Sequence, residues 1–219
     1  MPSTHAKNYH KSRFKYDAGR LKVWRAINEY LSVYINPNDS ILDLGTGYGD
    51  FINGIEAKKK YALDIGPDVK KYMNSDVFFI NKPSYSLEAI PMNSLNVVFS
   101  SNLFEHLDNE EFDKTIKALL KRFKKNGKLI LIGPNFKYAY KDYFDDYTHK
   151  TIYTHISLVD ALREYGFRPI KIVPKFLPLT MKSRIPKSYL LTKAYLNAPI
   201  SPLGKQMLLV LEVNKNGKK

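Results

Sequence analysis

The chain has 219 residues, 44% of them hydrophobic, with 35 Lys+Arg against 21 Asp+Glu and no cysteine. This is one generous domain with enough apolar residues for a full core; disulfides and thiolate metal sites are excluded, and no stretch reaches the roughly 20 apolar residues that span a bilayer. The charge is lopsided, because Met1–Glu110 carries 13 basic and 13 acidic residues whereas Glu111–Lys219 carries 22 and 8, so the entire net charge of +14 lies in the second half.

In chain order, Met1 to Tyr16 is polar and basic and has no apolar signal core, which with the missing cysteines fits a cytoplasmic protein. Residues 1–17 read as an N-terminal arm anchored by Tyr9, Phe14 and Tyr16. Leu21, Trp24, Ile27, Leu31 and Tyr34 recur at helical spacing, which predicts an amphipathic helix over Ala18–Tyr34. Asn36-Pro37-Asn38-Asp39 is a turn. A first strand is expected at Ser40–Leu44, ending in Asp43-Leu44 and followed by Gly45-Thr46-Gly47-Tyr48-Gly49. Glycines at alternate positions permit backbone angles and a close ligand approach that a Cβ would forbid. The apolar segment that resumes at Phe51 predicts a helix over roughly Asp50–Ala57, whose N-terminus would offer N–H groups to a ligand. A second strand near Tyr61–Asp64 ends in another acid.

The dinucleotide fingerprint G-x-G-x-x-G is not met, because Asp50 stands at its third glycine, and the phosphate loop G-x-x-x-x-G-K-[ST] fails because Leu129 follows Gly127-Lys128. Asp43 beside the turn would repel a pyrophosphate but not a cationic cofactor. Asp64 stands about the distance onward at which a carboxylate meets ribose hydroxyls in nucleotide folds.

Further along, a short helix is expected over Pro67–Met73, a strand at Val77–Ile80, a loop over residues 81–94 with a helical turn near Leu87–Ile90, and a buried strand at Leu95–Ser100. Asp108 is placed to cap a helix running to Lys124 and stopped by Asn126-Gly127. Strands follow at Lys128–Ile132, Phe167–Pro174 and Met207–Val213, with a helix over Ile156–Tyr165 ended by Gly166. Strands alternating with helices predict an α/β, doubly wound, mostly parallel sheet with helices on both faces, the ends of strands one and four meeting at one crevice.

The order strand, acid, glycine triplet, helix, strand, acid resembles the class I S-adenosylmethionine-dependent methyltransferases: their first motif reads like Asp43 to Gly49 and their second ends like Asp64. The resemblance covers about residues 20–213 and implies a Rossmann-like sheet of seven strands with the last antiparallel, the cofactor S-adenosyl-L-methionine, and a single methyltransferase domain over residues 1–219. It implies that Gly45, Gly47 and Gly49 carry the cofactor's amino acid and ribose on bare backbone, that Asp43 helps hold its ammonium, and that Asp64 accepts both ribose hydroxyls. Asn81 stands where family members often place an acid that bonds the adenine amino group; Ile65 and Leu103 are expected as apolar walls, and Ser101 as a neighbour of the cofactor.

Ser100 to Leu107 resembles the family's segment after strand four, which often ends in Glu-His-Leu. His106 is the first candidate base, since its pKa near neutrality suits taking a proton from a hydroxyl; Glu105 is expected to bond backbone or cofactor, and Tyr48 and Phe104 to stabilise the cation. Asp142 to His149 forms a long loop whose acids and aromatics suit a polyol, with His149 as the second candidate base and His155 as a helix-start residue. Asp142, Asp145, Asp146 and His149 show no recognised ligand spacing, so no metal is expected.

Between Glu164 and Glu212 there is no acid, while Arg168, Lys171, Lys175, Lys182, Arg184, Lys187, Lys193 and Lys205 fall there. Residues 176–206 are expected to be a basic lid or acceptor-binding insertion before the last strand, attracting an anionic substrate or resting peripherally on the inner face of a membrane. Methyl transfer to a small-molecule or glycan acceptor, a hydroxyl of a sugar or lipid-linked saccharide, is the expected activity, and the Asp145–His149 loop resembles methyltransferases of surface polysaccharide biosynthesis. The alternatives are an RNA methyltransferase or nucleic-acid-binding protein, favoured by the charge, and an inactive scaffold of the same fold.

Overall fold

The computed structural model describes Asp17 and residues 19–178 and 187–214. The N-terminal arm before Asp17 and residues 179–186 of the basic stretch lie outside the described residues. Seven strands form one sheet: β1 (Ser40–Leu44), β2 (Lys59–Asp64), β3 (Val77–Asn81), β4 (Leu95–Ser101), β5 (Phe123–Pro134), β6 (Phe167–Leu177) and β7 (Gln206–Val213). Their order is β3-β2-β1-β4-β5-β7-β6. β3, β2, β1, β4 and β5 pair in parallel, and β7 runs antiparallel between β5 and β6. The expected seven-stranded, mostly parallel, doubly wound sheet is what forms.

The central strands are apolar on both faces because both are covered. Successive side chains alternate, so Leu42, Leu44, Val98, Leu129, Leu131, Leu209 and Leu211 enter one core, and Ile41, Val97, Phe99, Ile130, Ile132, Leu208 and Val210 enter the other. The helices are α1 (Gly19–Leu31), α2 (Asn109–Arg122), α3 (the single turn Phe136–Ala139), α4 (His155–Arg163) and α5 (Tyr189–Asn197). α2 and α4 close the first core with Phe112, Ile116, Leu119, Leu158 and Leu162. α1 closes the second with Ile27 and Leu31, and α5 lies against α1. Asp108 caps α2 in a reciprocal box with Glu111. The helix ends at Arg122, two residues earlier than expected, because Phe123 already enters β5. Gly166, with φ 84°, ends the α4 segment as anticipated.

The helix expected over Asp50–Ala57 is not there. The segment makes one 3-10 turn, Ile52–Gly54. After the glycine bend too few residues remain before β2 for several helical turns, and Gly54 and two isoleucines are weak helix formers. Asn28 of α1 also donates to the Asp50 and Phe51 carbonyls at 3.4 and 3.2 Å, occupying acceptors that a helix would use. Phe51 takes over the covering role: its ring stacks on Phe99 at 3.8 Å with an interplanar angle of 19°. The helical turn expected near Leu87–Ile90 is a hydrogen-bonded turn, Ile90 N–H to Leu87 C=O at 3.0 Å.

A Cβ built on Gly54 would sit 2.4 Å from Asn28 Nδ2. Gly54→Ala is therefore expected to destabilise the protein, by about 1 kcal/mol or more, in urea unfolding followed by circular dichroism. In a genuine helix the same change would stabilise by about 1 kcal/mol, so a gain would contradict this description of the segment.

Candidate active site

The bend after β1 is built from three glycines in left-handed conformation, with φ of 76° at Gly45, 53° at Gly47 and 70° at Gly49. It hangs on the neighbouring strand: the Gly45 and Thr46 N–H groups donate to the Leu63 carbonyl at 2.8 and 3.1 Å. The Gly47 N–H donates to Asp64 Oδ2 at 2.9 Å, and Gly66 N–H to Asp64 Oδ1 at 2.8 Å. Asp64 thus lies buried against the bend, not in bulk water. No helix starts here, and the Gly45, Thr46, Gly47 and Gly49 N–H groups are bonded to the Leu63 carbonyl, Asp64 and the Thr46 carbonyl, a correction to the expected helix terminus.

Two further carboxylates surround the bend. Asp43 is 2% exposed and accepts a bond from Thr46 Oγ1 at 2.7 Å. Burial pushes its carboxyl up to about 7; the Thr46 bond opposes this, and the charges of Asp64 and Asp50 add to it. Asp50 is buried and accepts from Arg20 Nε and Nη2 at 2.9 and 2.7 Å. The Arg20 guanidinium also lies 5.5 Å from the Tyr48 ring centre, so α1 is tied to the bend. Arg20, Asn28 and Asp50 were missed in the sequence because their pairing is set by packing between distant segments.

Leu103 lies over Gly45, its side chain 3.3 Å from where a Cβ would stand, and Met73 lies over Gly49 at 2.6 Å. Ile65 is 45% exposed beside them in the chain fold. Asn81 donates its amide N–H to the Asp64 carbonyl at 2.9 Å, which leaves its amide oxygen as the acceptor. Ser101 Oγ accepts from Asn102 Nδ2 at 3.0 Å. Phe104 is a core residue, 5% exposed and edge-on to Phe112, instead of a cleft wall.

The second half of the site is made where the segments after β4 and β5 emerge side by side from parallel strands. Lys150 and Thr151 N–H groups donate to the Glu105 carbonyl at 2.8 and 3.1 Å, and Thr151 Oγ1 donates to the Leu107 carbonyl at 2.7 Å. This stitching brings His106 and His149 together, ring centres 4.9 Å apart. His106 Nδ1 lies 3.0 Å from Thr148 Oγ1 and 3.2 Å from the Thr148 carbonyl. The Thr148 hydroxyl donates to Asp146 Oδ1 at 2.6 Å, so it can only accept from the ring. Nδ1 therefore carries the hydrogen, and the neutral ring has its lone pair on Nε2. Burial, and next the neighbouring His149, hold the His106 pKa below its ordinary value. Glu105 is 4% exposed, and burial pushes its carboxyl up to about 8.

The loop's aromatics divide. Tyr143 is fully buried, 4.4 Å from the His149 ring, and donates to the Thr151 carbonyl, so it frames the site; Phe144 and Tyr147 are exposed. Asp142 pairs with Lys205, and Asp146 accepts from Thr148. His155 opens α4, as expected.

The basic stretch is more neutral in space than in sequence. Arg168 pairs with Glu212, Lys187 with Asp17, Lys193 with Glu29 and Lys205 with Asp142. Lys175 lies 4.6 Å from the Tyr138 ring centre. Among the described residues no helix is long and apolar enough to cross a membrane.

The glycine bend, the carboxylate at the end of β2 and the sheet order define the class I methyltransferase fold. The chain belongs to the methyltransferase domain family, which it matches over residues 16–172, and with it to the S-adenosylmethionine-dependent methyltransferases. It is 25% identical over 151 residues to phosphoethanolamine N-methyltransferase of Plasmodium falciparum; the match covers 63% of this chain and 57% of that protein, little more than half its length. Its fold is similar to that of a SAM-dependent methyltransferase from Archaeoglobus fulgidus, with TM-score 0.67, 21% identity and coverage of 96% of this chain and 100% of the other. It is also similar to geranyl diphosphate C-methyltransferase from Streptomyces coelicolor, solved with Mg2+, geranyl diphosphate and S-adenosyl-L-homocysteine, with TM-score 0.61, 12% identity and coverage of 85% and 79%. The residues present fit S-adenosylmethionine: a left-handed bend that is half-buried at Gly45 and Gly47, the Asp64 carboxylate held against it, and the Asp43 carboxyl buried beside it.

Asp43 generates a pH prediction. Its folded pKa is raised from 3.8 to about 7, so its contribution to stability is complete below about pH 4 and lost as pH rises through 7. Asp43→Asn removes that titration. Urea unfolding at pH 5 and pH 8 should show wild type losing stability relative to the variant, on the order of 2–3 kcal/mol. An equal gap at both pH values would show that Asp43 is ionised in the folded protein.

Proposed function

We propose that this protein transfers a methyl group from S-adenosylmethionine to a hydroxyl of a small-molecule acceptor, a sugar or lipid-linked saccharide. The observation that carries the reading is the Asp64 carboxylate held against the glycine bend, with Leu103 packed over Gly45 three residues before His106 of the imidazole pair. Asp64 accepts the ribose hydroxyls, Gly45 and Gly47 present backbone to the cofactor while Gly49, covered by Met73, lets the bend turn, Asn81 accepts from the adenine amino group, and Ile65 and Leu103 wall the base, with Ser101 at the edge of the pocket. Asp43 answers the positive charge of the amino acid portion, which favours its ionised form.

S-adenosylmethionine supplies a methyl group already activated on a sulfonium. The protein's part is to orient and to move a proton. Holding an acceptor oxygen in line contributes on the order of 7–11 kcal/mol in favourable models. His106, protonated on Nδ1 through the Thr148 and Asp146 relay, takes the hydroxyl proton on Nε2. His149 stands beside it as the second basic group. The exposed rings of Phe144 and Tyr147 on the same loop suit the apolar face of a saccharide. The pairing of the C-terminal basic residues supports a small acceptor over a nucleic acid.

Calorimetry is expected to show one-to-one S-adenosylmethionine binding, weakened at least tenfold by Asp64→Ala, which removes a charged hydrogen-bond acceptor worth about 1.5–3 kcal/mol. A methyl-transfer screen with labelled cofactor against fractionated glycans, lipids and RNA identifies the acceptor class. On that acceptor His106→Ala should lower kcat about 10²–10⁴-fold. Failure of the wild-type protein to bind the cofactor overturns the reading; labelling of RNA alone replaces the acceptor.

A further inference from the structure

Glu105, His106 and His149 each offer one ligating atom, and those atoms lie within 4.8 Å of one another. Nothing in the sequence spacing announces this, since His149 follows His106 by 43 residues. It is made by the parallel pairing of β4 and β5 and by the hydrogen bonds that join the two segments.

Three features of the cluster go beyond proximity. Glu105 is 4% exposed, and no lysine or arginine among the described residues pairs with its carboxyl. A buried carboxyl of this kind keeps its proton unless a cation takes the proton's place beside it. Second, Thr148 fixes the His106 ring with hydrogen on Nδ1, through a relay that ends on Asp146. Metal-binding imidazoles are held in this way, one nitrogen donating to a carbonyl or a carboxylate-linked group so that the other can ligate. Third, two imidazoles face each other beside an acid with Tyr143 packed behind them, an arrangement in which a positive ion is the natural companion.

We propose that Glu105, His106 and His149 bind a divalent transition-metal ion at the acceptor end of the cleft. Two imidazoles and one carboxylate suit zinc, manganese or cobalt better than magnesium or calcium, which take oxygen ligands. Ligands on one such ion stand about 2.0–2.2 Å from it. They are thus at most about 4.4 Å apart, so small side-chain rotations close the site. Three protein ligands leave positions open, and these accept an oxygen of the acceptor. The inference deepens the function proposed above and rests on it for the acceptor, which becomes a molecule able to ligate through oxygen, such as a vicinal diol. With the ion bound the His106 Nε2 lone pair is a ligand and not the base; the ion would take over that part by lowering the pKa of a bound hydroxyl, whose proton then leaves to water.

The test uses the whole protein, stripped with EDTA and titrated calorimetrically with ZnCl2 and separately with MnCl2, with S-adenosylmethionine titrated in parallel. The expected result is one site for at least one of the two ions. Affinity should drop tenfold or more in His149→Ala and in Glu105→Gln, each checked for native circular dichroism. The ion should raise the thermal midpoint of wild type and leave that of His149→Ala unchanged, which keeps the test decisive if Glu105→Gln does not fold. No ion binding by wild type, or equal binding by His149→Ala, overturns the inference. Cofactor binding without ion binding overturns the metal site alone; absent cofactor binding overturns methyl transfer, whatever the ion does.

Discussion

The hydrogen bond from the Gly47 N–H to Asp64 is the contact on which the cofactor half of the site depends. It exists because β1 and β2 pair in parallel with Leu44 opposite Leu63, so the bend and the acid leave the sheet at the same level. The Leu63 carbonyl takes the first two N–H groups of the bend, and the next amide it turns toward β2 reaches Asp64. A backbone donor on a carboxylate is a charge-assisted bond, shorter and stronger than a neutral one. It holds the loop before any ligand arrives. On the proposed function a ribose diol would meet a carboxylate already oriented, which lowers the ordering cost of binding.

The missing helix after the bend shifts work onto α1. Asn28 holds the Asp50 and Phe51 carbonyls, Arg20 holds Asp50, and Phe51 fills the second core by stacking on Phe99. A loop secured from outside replaces a helix secured by its own backbone bonds. The bend therefore depends on side chains thirty residues earlier. α1 and the bend are joined by the Arg20–Asp50 pair and the Asn28 bonds to the Asp50 and Phe51 carbonyls rather than by a helix axis.

Much of this was legible in the chain. Ser40–Leu44 is the first strand as read, because an apolar run bounded by a turn and a glycine triplet has few other solutions. Asp64 could be placed at a strand end and next to the bend for the same reason. The helix over Asp50–Ala57 failed because tertiary contacts from Asn28 and Phe99 outweighed a local apolar pattern that was in any case short. Phe104 read as a cleft aromatic and proved to be core, since one apolar residue after a strand end points either way. His106 and His149 were each visible as candidates, but their meeting with Glu105 is a property of β4–β5 pairing that residue types do not encode. The Nδ1 tautomer of His106 depends on Thr148, which no motif marks.

Charge shows the same difference between order along the chain and order in space. The second half holds the whole net charge of +14, which on its own points to a polyanion. In the fold, the acids of the first half come to meet it: Glu29 on α1 pairs with Lys193 on α5, and Asp17 pairs with Lys187. Arg25 lies 4.7 Å from the Tyr189 ring centre in the same α1–α5 contact. Lys205 spends its charge on Asp142 at the start of the acceptor loop. These exposed pairs add little stability individually, but they draw field lines inward and shorten the reach of the basic stretch. On the proposed function, selection of the acceptor falls to the loop between Asp142 and Thr151, whose backbone is fixed to Glu105 and Leu107 and which carries the exposed rings of Phe144 and Tyr147. A loop bonded through Thr148, Lys150 and Thr151 to the segment that carries His106 can change its exposed residues Phe144 and Tyr147 without moving that imidazole, which on the proposed function would separate what is recognised from how it is methylated.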